Sequence, residues 1–257
     1  MTASYTLLYH AGIPGRGEYV RLAFEAAQVA FTDTNKDLYT LTGVNGNAGH
    51  PAHLACPLLK IELDGDAKPF YLSQTPAILA YLAPRLGLDG TKDDADLGSE
   101  HADIRRAHVS QLTATILDLS NEIHDTHHPI SVGAYYEDQK EAAARRAEDL
   151  RKNRIPKFFR IFDRSIAQNP AQSGFLIGKH ATVADLVLFQ VVDGIAFAFP
   201  NLTKSLRESG DYKGVYALRD QVAALPGIKA YLDSGRRASF SNGIFRHYPE
   251  LDPETSA

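Results

Sequence analysis

The residues best suited to binding chemistry lie in a short stretch, Ser73 to Leu79, that combines small polar residues with a proline. Thr75 is of a type that caps helix N-termini, and Pro76 suits the first helical position because its missing N–H would be unpaired there anyway. The next three residues are apolar and bring no carboxylate. The first turn of the predicted helix therefore leaves backbone N–H groups and the positive end of the helix dipole free to bind an anion.

A second stretch, His53 to Gly65, predicts a strand that follows a proline and ends in a hairpin. Apolar residues alternate over 59–63, and Asp64-Gly65 is typical of a hairpin turn. We expect the return strand at 69–72. Because Pro57 removes one donor from the ladder, the strand keeps a free edge on which an extended peptide can pair.

The elements that must position these residues begin with a strand, a helix and a second strand. Residues that favour β structure run from Tyr5 to His10, three glycines and a proline fill 11–17, and apolar residues recur at helical spacing from Glu18. A second strand is predicted at 31–34. This βαβ unit, followed by the hairpin and helix, is the order of the thioredoxin-like fold. We therefore predict an α+β thioredoxin-like domain over residues 1–86.

The rest of the chain predicts helices alone. A polar linker at 87–98 carries three aspartates (Asp93, Asp94 and Asp96), and a long helix after it should end near Glu122 or Asp125. A second helix is expected to begin near Tyr135 or Glu137, to carry a solvated charged face, and to end at Asn169-Pro170.

A capping box begins the next predicted helix. The Thr182 hydroxyl and the Asp185 carboxylate can each satisfy a backbone N–H, and a strongly apolar run follows them. Because this carboxylate is already engaged, we do not assign it a catalytic role. With a further helix over 225–232, we predict an all-α C-terminal domain over residues 97–257.

Composition excludes several partners. The 257 residues contain 27 Lys and Arg against 31 Asp and Glu, and the basic residues form no dense stripe, so we expect no nucleic acid. The single cysteine excludes an internal disulfide and fits a reducing compartment. The first residues lack the pattern of a signal peptide, and polar residues interrupt the longest apolar segment, 186–200. We expect no membrane span and a cytoplasmic location.

Together, these motifs resemble those of the soluble glutathione transferases. The resemblance rests on Cys56-Pro57, on Gln74-Thr75, and on the passage from Leu79 to Leu88 into the helical region. It continues in the run Phe175 to Gly178 before the capping box and in the helix at 225–232. It covers nearly the whole chain and implies the same two-domain fold.

The resemblance also implies a glutathione site. In this family a cis-proline precedes the third strand, which corresponds to Pro57, and the backbone of Cys56 would bind the cysteinyl unit of glutathione. Gln74 and Thr75 would hold the γ-glutamyl end, with the N–H and hydroxyl of Thr75 on its carboxylate. The family implies glutathione as co-substrate, and we expect no metal.

The glycyl end of glutathione is where this sequence departs from the family pattern. Relatives usually provide a Trp, Lys or Arg from the segment that corresponds to 36–53, which we interpret as a mobile flap. This chain has no Trp, and it has no Lys or Arg between Lys36 and Lys60. Lys36, Asn47, His50 and His53 are the possible substitutes; the sequence does not choose among them, and we include His50 in the predicted binding set.

Within the family, Tyr9 is the candidate that activates the thiol. Family members use a Tyr at the end of the first strand or a Ser or Cys in the next loop, and the loop at 11–17 has neither Ser nor Cys. A hydrogen bond from the Tyr9 hydroxyl would stabilise the glutathione thiolate. Arg16 resembles the arginine that steadies this region. These assignments imply a tyrosine-type glutathione S-transferase acting on a small hydrophobic electrophile, with a role in detoxification.

The electrophile pocket and the oligomer are also predicted. We expect the pocket between Tyr9 and Ile13, Gln111 and Thr115 of the long helix, and the aromatic tail at 240–248, including Phe245. The resemblance implies a homodimer, in which Asp103 reaches the glutathione of the partner. His53 stands where several tyrosine-type classes carry an aromatic residue that keys into the partner.

Other functions stay open. The fold could be a non-catalytic glutathione-binding module, or a glutathione-dependent isomerase that keeps Tyr9. A cysteine-type reductase would need a loop cysteine that is absent, and we interpret the Cys56 thiol as incidental to its backbone role. The histidines His124, His127 and His128 lack cysteine ligands and helical spacing, so we interpret them as a loop that ends a helix.

Overall fold

A computed structural model describes residues 3–92 and 98–254. Its N-terminal part is a mixed sheet with helices, in the predicted order. The elements are β1 (Ala3–Leu8), α1 (Gly17–Ala27), β2 (Thr32–Thr34), α2 (Leu38–Leu41), β3 (Leu58–Leu63), β4 (Phe70–Ser73) and α3 (Thr75–Arg85).

The sheet has the strand order β2-β1-β3-β4. β1 pairs parallel to β2 and antiparallel to β3, and β4 returns antiparallel to β3 with Leu58 opposite Ser73. Alternate residues of β1 and β3, such as Leu7 and Leu59, pack against Phe24 of α1 and Ile78 of α3. This arrangement confirms the predicted thioredoxin-like fold.

In the second part of the chain, every regular element among the described residues is helical. Its helices are α4 (Ser99–His124), α5 (Lys140–Asp149), α6 (Ile155–Ala167), α7 (Val183–Ala198), α8 (Pro200–Ser209), α9 (Lys213–Ala223) and α10 (Pro226–Asp233). A π-helical turn, Leu150–Arg154, joins α5 to α6, and 3-10 turns lie at Tyr136–Asp138 and Pro249–Leu251. The fold is therefore the predicted α+β domain followed by an all-α domain.

Helix α7 forms the centre of the second core. The predicted capping box is present, with Thr182 and Asp185 each bonding the backbone of the other, and the Asp185 carboxylate also accepts the Leu176 N–H at 2.8 Å. Complete burial raises the pKa of Asp185 to about 6. This helix contacts both α1 and α4, which joins the two halves of the molecule.

A buried ionic cluster strengthens that junction. The guanidinium of Arg237, which follows α10, donates to Glu18 of α1 at 3.1 Å and to Asp193 of α7 at 3.0 Å. Burial raises the pKa of Glu18, although Arg237 and Arg21 oppose the change. Because the Arg237 guanidinium pairs with carboxylates on two different helices, it links α1 to α7.

Several boundaries differ from prediction by one to five residues. Helix α3 begins at Thr75 with Gln74 as its N-cap, not Thr75, because Gln74 has φ 71° and leaves the helical region. The second helix begins at Lys140, after the 3-10 turn, and not at Tyr135 or Glu137. β1 ends at Leu8, so Tyr9 is the first residue beyond it. The linker aspartates Asp93, Asp94 and Asp96 and the boundary at 97 lie outside the described residues.

Within the described ranges, no single helix is long and apolar enough to cross a membrane. Helices α7 and α8 pass that test only as a pair, which is bent by 116° at its junction.

Candidate functional site

The Tyr9 side chain lies against the loop that leads into α1. Its hydroxyl oxygen accepts a hydrogen bond from the backbone N–H of Arg16 at 2.8 Å. Glycines flank Arg16, and a Cβ at Gly17 would lie 2.6 Å from the Tyr9 ring, while one at Gly15 would overlap the hydroxyl. The Gly15-Arg16-Gly17 sequence therefore permits the close approach of Tyr9 to the start of α1.

The surroundings of Tyr9 keep its hydroxyl protonated. Only 6% of Tyr9 is exposed, and burial raises the pKa of its phenol. The Arg16 N–H and the charges of Arg16 and Arg21 lower that pKa by a smaller amount. Since the oxygen already accepts the Arg16 N–H, the phenolic proton is available to donate elsewhere. Tyr9 can therefore act as a hydrogen-bond donor to an anion.

The Arg16 side chain reaches the second domain. Its guanidinium donates to the Asn121 side-chain oxygen of α4 at 2.8 Å, and the neighbouring Ser120 hydroxyl lies 2.7 Å from that of Tyr19 in α1. Two successive residues of α4 thus hold the first turn of α1. The sequence analysis assigned Arg16 but did not identify Asn121, because no local pattern reports a contact between residues 105 positions apart.

Four of the predicted glutathione-binding residues adjoin one end of the β3–β4 ladder. The Cys56–Pro57 peptide bond is cis, as expected, and precedes β3. Because Leu58 pairs with Ser73 at the end of the antiparallel ladder, Cys56-Pro57 before β3 and Gln74-Thr75 after β4 adjoin the same end of these two strands. The Thr75 hydroxyl is buried and has no hydrogen-bond partner among the described residues.

An orphaned buried hydroxyl at a helix N-terminus suits an anionic ligand. Leaving a buried polar group unpaired costs about 1–3 kcal/mol. The first turn of α3 carries no acidic residue, so its dipole is not offset there. Thr75 and the start of α3 could therefore bind a carboxylate.

The flap candidates occupy different environments. His50 is exposed and precedes a second cis-proline, Pro51, while Lys36 and Asn47 are also exposed. His53 is only 4% exposed, and its Nδ1 lies 2.9 Å from the Ser73 hydroxyl. His53 therefore packs within its own chain and does not project outward as a key residue.

A contact that the sequence analysis did not predict joins Cys56 to His10. The Cys56 sulfur lies 3.2 Å from His10 Nε2, and His10 Nδ1 lies 3.2 Å from the Tyr39 hydroxyl of α2. The sequence signal that could have identified His10 as a site residue was its position directly after Tyr9. The thiol assigned as incidental therefore has a titratable partner.

The residues predicted for the electrophile pocket do not come together. Ile13 packs beside the Tyr9 core, whereas Gln111 lines a separate groove with Ser165 and residues 168–171. The Thr115 hydroxyl bonds its own helix at Gln111. Phe245 is buried on Gly194 of α7.

Helical phase explains the displacement of Gln111 and Thr115. Asn121, which contacts Arg16, lies ten residues after Gln111 and six after Thr115, so these residues point about 80° and 120° away around the helix axis. The tail does reach the loop after β1, but through Gly243, which approaches Gly15. Asp103 is exposed and bonds Arg106 at 2.8 Å.

The three histidines end α4 as predicted and pack against one another. Their ring centroids are 4.8–5.1 Å apart. The His127 Nε2 donates to the Ile244 carbonyl at 2.9 Å, and burial lowers the pKa of His127 to about 3, so its ring is neutral. Among residues 3–92 and 98–254, no group of three or more His, Cys, Asp or Glu is placed to hold a metal.

Comparisons with known proteins agree with this geometry. A family model described as "Glutathione S-transferase, C-terminal domain" matches residues 124–235. The chain is 25% identical over 237 residues to S-crystallin SL11 of Nototodarus sloanii, and this alignment covers 92% of this chain and 99% of that protein. It is 22% identical over 234 residues to a glutathione S-transferase of Plasmodium yoelii yoelii, and this alignment covers 88% of this chain and 92% of that protein.

A solved structure gives the same result for the fold. The Nu-class glutathione transferase of Haemonchus contortus superimposes with a TM-score of 0.61 at 22% identity, over 93% of this chain and 99% of that one. The fold, the family model and the relatives agree, and residues 124–235 match the C-terminal domain of the glutathione S-transferase family.

Proposed function

We propose that this protein is a tyrosine-type glutathione S-transferase that joins the glutathione thiolate to a small hydrophobic electrophile. The observation that carries the proposal is the hydrogen bond from the Arg16 N–H to the Tyr9 hydroxyl at 2.8 Å. It leaves the phenolic proton of Tyr9 free for the thiolate. Donation to the charged form of the thiol lowers the pKa of that thiol.

Residues 1–86 would bind glutathione. The γ-glutamyl carboxylate would fill the orphaned position at the Thr75 hydroxyl, beside Gln74 and the start of α3. The backbone of Cys56, held by cis Pro57, would pair with the cysteinyl unit as an added strand does. We keep His50 as the proposed partner of the glycyl carboxylate.

Thiolate stabilisation supplies only part of the rate. A fall of about two units in the thiol pKa is worth about 2.7 kcal/mol and raises the thiolate fraction at neutral pH about 25-fold. The less basic thiolate is a weaker nucleophile, and this reduces the gain in rate by about eightfold. Holding thiolate and electrophile together must therefore provide most of the acceleration.

The electrophile would bind in residues 97–257, next to Arg16. Ile13 stays in the proposed pocket, and Asn121 and His124 replace Gln111, Thr115 and Phe245, because Asn121 bonds Arg16 and the nearby charge of Arg16 helps burial lower the pKa of His124. Conjugation of this kind fits a detoxifying enzyme of the cytoplasm.

We also propose a homodimer in which Asp103 reaches the partner's glutathione. Asp103 lies near the start of α4 and is exposed, as such a role requires. Sedimentation velocity tests the dimer. A monomer would contradict this part of the proposal and leave the thiolate chemistry unaffected.

Calorimetric titration of glutathione, followed by an ultraviolet difference spectrum, tests the central proposal. We expect binding together with a thiolate band at neutral pH. Binding without the band, and without turnover on any electrophile, would favour a non-catalytic module, an alternative that the S-crystallin relative keeps open. Absence of binding would refute the glutathione site.

A further inference from the structure

Cys56 carries a side-chain contact that glutathione conjugation does not use. The proposed function needs only the Cys56 backbone, yet its sulfur lies 3.2 Å from His10 Nε2. The thiol is half-buried and belongs to the only cysteine of the chain. A thiol within hydrogen-bond distance of an imidazole is the arrangement that activates a sulfur nucleophile.

The other ring nitrogen of His10 is also engaged. Its Nδ1 lies 3.2 Å from the Tyr39 hydroxyl. When Nδ1 carries the proton and donates it to the Tyr39 oxygen, Nε2 holds a lone pair directed at the Cys56 thiol. This tautomer can accept the thiol proton.

The pair lies within the proposed glutathione site. Tyr9 precedes His10, and the two rings are in edge contact with centroids 5.2 Å apart. Thr75, whose buried hydroxyl has no partner among the described residues, adjoins the same end of the β3–β4 ladder as Cys56. A second, independent feature of the same pocket thus indicates an absent anionic ligand.

We propose that Cys56 is a second reactive sulfur, which exchanges with glutathione disulfide bound in this site. This proposal rests on the proposed glutathione site. His10 Nε2 takes the proton of the Cys56 thiol, and the sulfur attacks one sulfur of the disulfide. The new bond joins Cys56 to one glutathionyl group, and the bond between the two glutathione sulfurs breaks.

The other glutathione leaves as a thiolate, which the Tyr9 hydroxyl can stabilise by its hydrogen bond before the thiolate takes the proton back from His10. No external oxidant is needed, because one disulfide replaces another. Attack by a second glutathione thiolate reverses the step. When the starting compound is a mixed disulfide of glutathione and another thiol, Cys56 takes the glutathionyl group and the other thiol is released. A glutathione thiolate then removes that group as glutathione disulfide, so the mixed disulfide is reduced at the expense of glutathione.

The environment of Cys56 makes the role of His10 necessary. Burial raises the pKa of the Cys56 thiol, which therefore rests protonated and unreactive. Once deprotonated, such a sulfur is a stronger nucleophile than an acidic thiolate. Reaction should consequently depend on a disulfide that is held in the pocket next to His10.

Intact-mass spectrometry of the full chain tests this exchange directly. Because the chain has one cysteine, a single added glutathionyl group identifies Cys56 without mapping. We expect adduct formation with glutathione disulfide, reversal by glutathione, and no adduct in Cys56→Ser. His10→Gln should slow adduct formation on the order of a hundredfold, the lower range for general-base assistance. His108→Gln, which changes an exposed histidine in the middle of α4, is the matched control and should react like the unaltered protein.

A second disulfide separates recognition from simple thiol reactivity. Hydroxyethyl disulfide lacks the carboxylates of glutathione, so we expect it to react with Cys56 more slowly. The Thr75→Val substitution should slow the reaction of Cys56 with glutathione disulfide but not its reaction with hydroxyethyl disulfide. Equal rates for the two reagents, or an unchanged rate in His10→Gln, would overturn the inference. If calorimetry detects glutathione binding but Cys56 gains no glutathionyl adduct, the inference fails while the proposed function stands. If glutathione does not bind and the two disulfides react alike, both fail.

Discussion

The Tyr9 hydroxyl oxygen and the Arg16 backbone nitrogen lie 2.8 Å apart. The contact joins the residue after β1 to the N-cap of α1, so the position of the phenol is set by the backbone of the helix that follows. It also fixes the direction in which the phenolic proton can point. The first prediction tests the consequence of that direction.

Tyr9→Phe should lower conjugation at neutral pH and not at pH 9. Without the hydrogen bond, the thiol pKa returns to about 8.5, and the net loss at pH 7 is about threefold after the gain in nucleophilicity is counted. At pH 9 free glutathione is already mostly thiolate, so the loss should vanish or reverse. Burial raises the pKa of Tyr9 above its ordinary value of 10, so the phenol still donates at pH 9. Initial rates with a model electrophile at both pH values measure this, and an equal loss at both would contradict the role of Tyr9.

Gly15→Ala should destabilise the fold and displace Tyr9. A Cβ at Gly15 would overlap the Tyr9 hydroxyl, and its φ of +47° is unfavourable for alanine. We expect a loss of about 2–4 kcal/mol in the free energy of unfolding, from backbone strain and overpacking together. Urea denaturation measures the loss.

Gly12→Ala is the matched control in the same loop. Gly12 has φ +76° but nothing within 4 Å of the added Cβ. Its loss should be about 1–2 kcal/mol, the backbone contribution alone. Equal losses for the two variants would show that Tyr9 does not constrain Gly15.

Thr75→Val should have opposite effects on stability and on binding. Valine replaces a buried hydroxyl that has no partner, so the free energy of unfolding without glutathione should stay the same or rise slightly. Glutathione binding should weaken by about 1–3 kcal/mol, since a hydrogen bond to a charged group is lost. Thr75→Ser keeps the hydroxyl and should bind normally. Calorimetry that found equal affinities for the valine and serine variants would place the carboxylate elsewhere.

Arg237→Met should cost about 3 kcal/mol, the lower limit for breaking a buried ion pair, because Glu18 and Asp193 lose their shared cation but keep Arg21 and Arg219. Burial already raises the pKa of Glu18 above 4.5, so the native state binds this proton more tightly than the unfolded chain does. The stability that Glu18 provides is therefore present at low pH and is lost as pH rises through its folded pKa. Removing Arg237 raises that pKa further.

The loss in Arg237→Met should consequently be larger at pH 8 than at pH 5, where Glu18 can become neutral. Arg236→Met is the control, because Arg236 pairs with Glu25 at the surface with its side chain 57% exposed. Such a pair is worth about 0–1 kcal/mol. Thermal unfolding at the two pH values measures both variants, and similar losses for both would mean that the buried cluster contributes little.

Local sequence was sufficient for features that depend on neighbouring residues. The capping box of Thr182 and Asp185 was predicted because both partners lie within one turn, and the hairpin because Asp64-Gly65 specifies its turn. The start of α3 was wrong by one residue, since Gln74 adopts a positive φ that its side chain does not require. That conformation occurs where the chain leaves β4 and turns into α3.

The amino-acid sequence by itself determined the order of strands and helices, the resemblance to glutathione S-transferases, and the positions of Tyr9, Pro57 and Thr75 next to β1, β3 and β4, because each follows from short-range pattern. Only the tertiary structure decided which face of α4 meets Arg16, that Phe245 is buried on α7, and that His10 lies against Cys56. Those contacts join residues that are 46 or more positions apart. They depend on how whole elements rotate and pack, which hydrophobic periodicity specifies only to within a face of a helix.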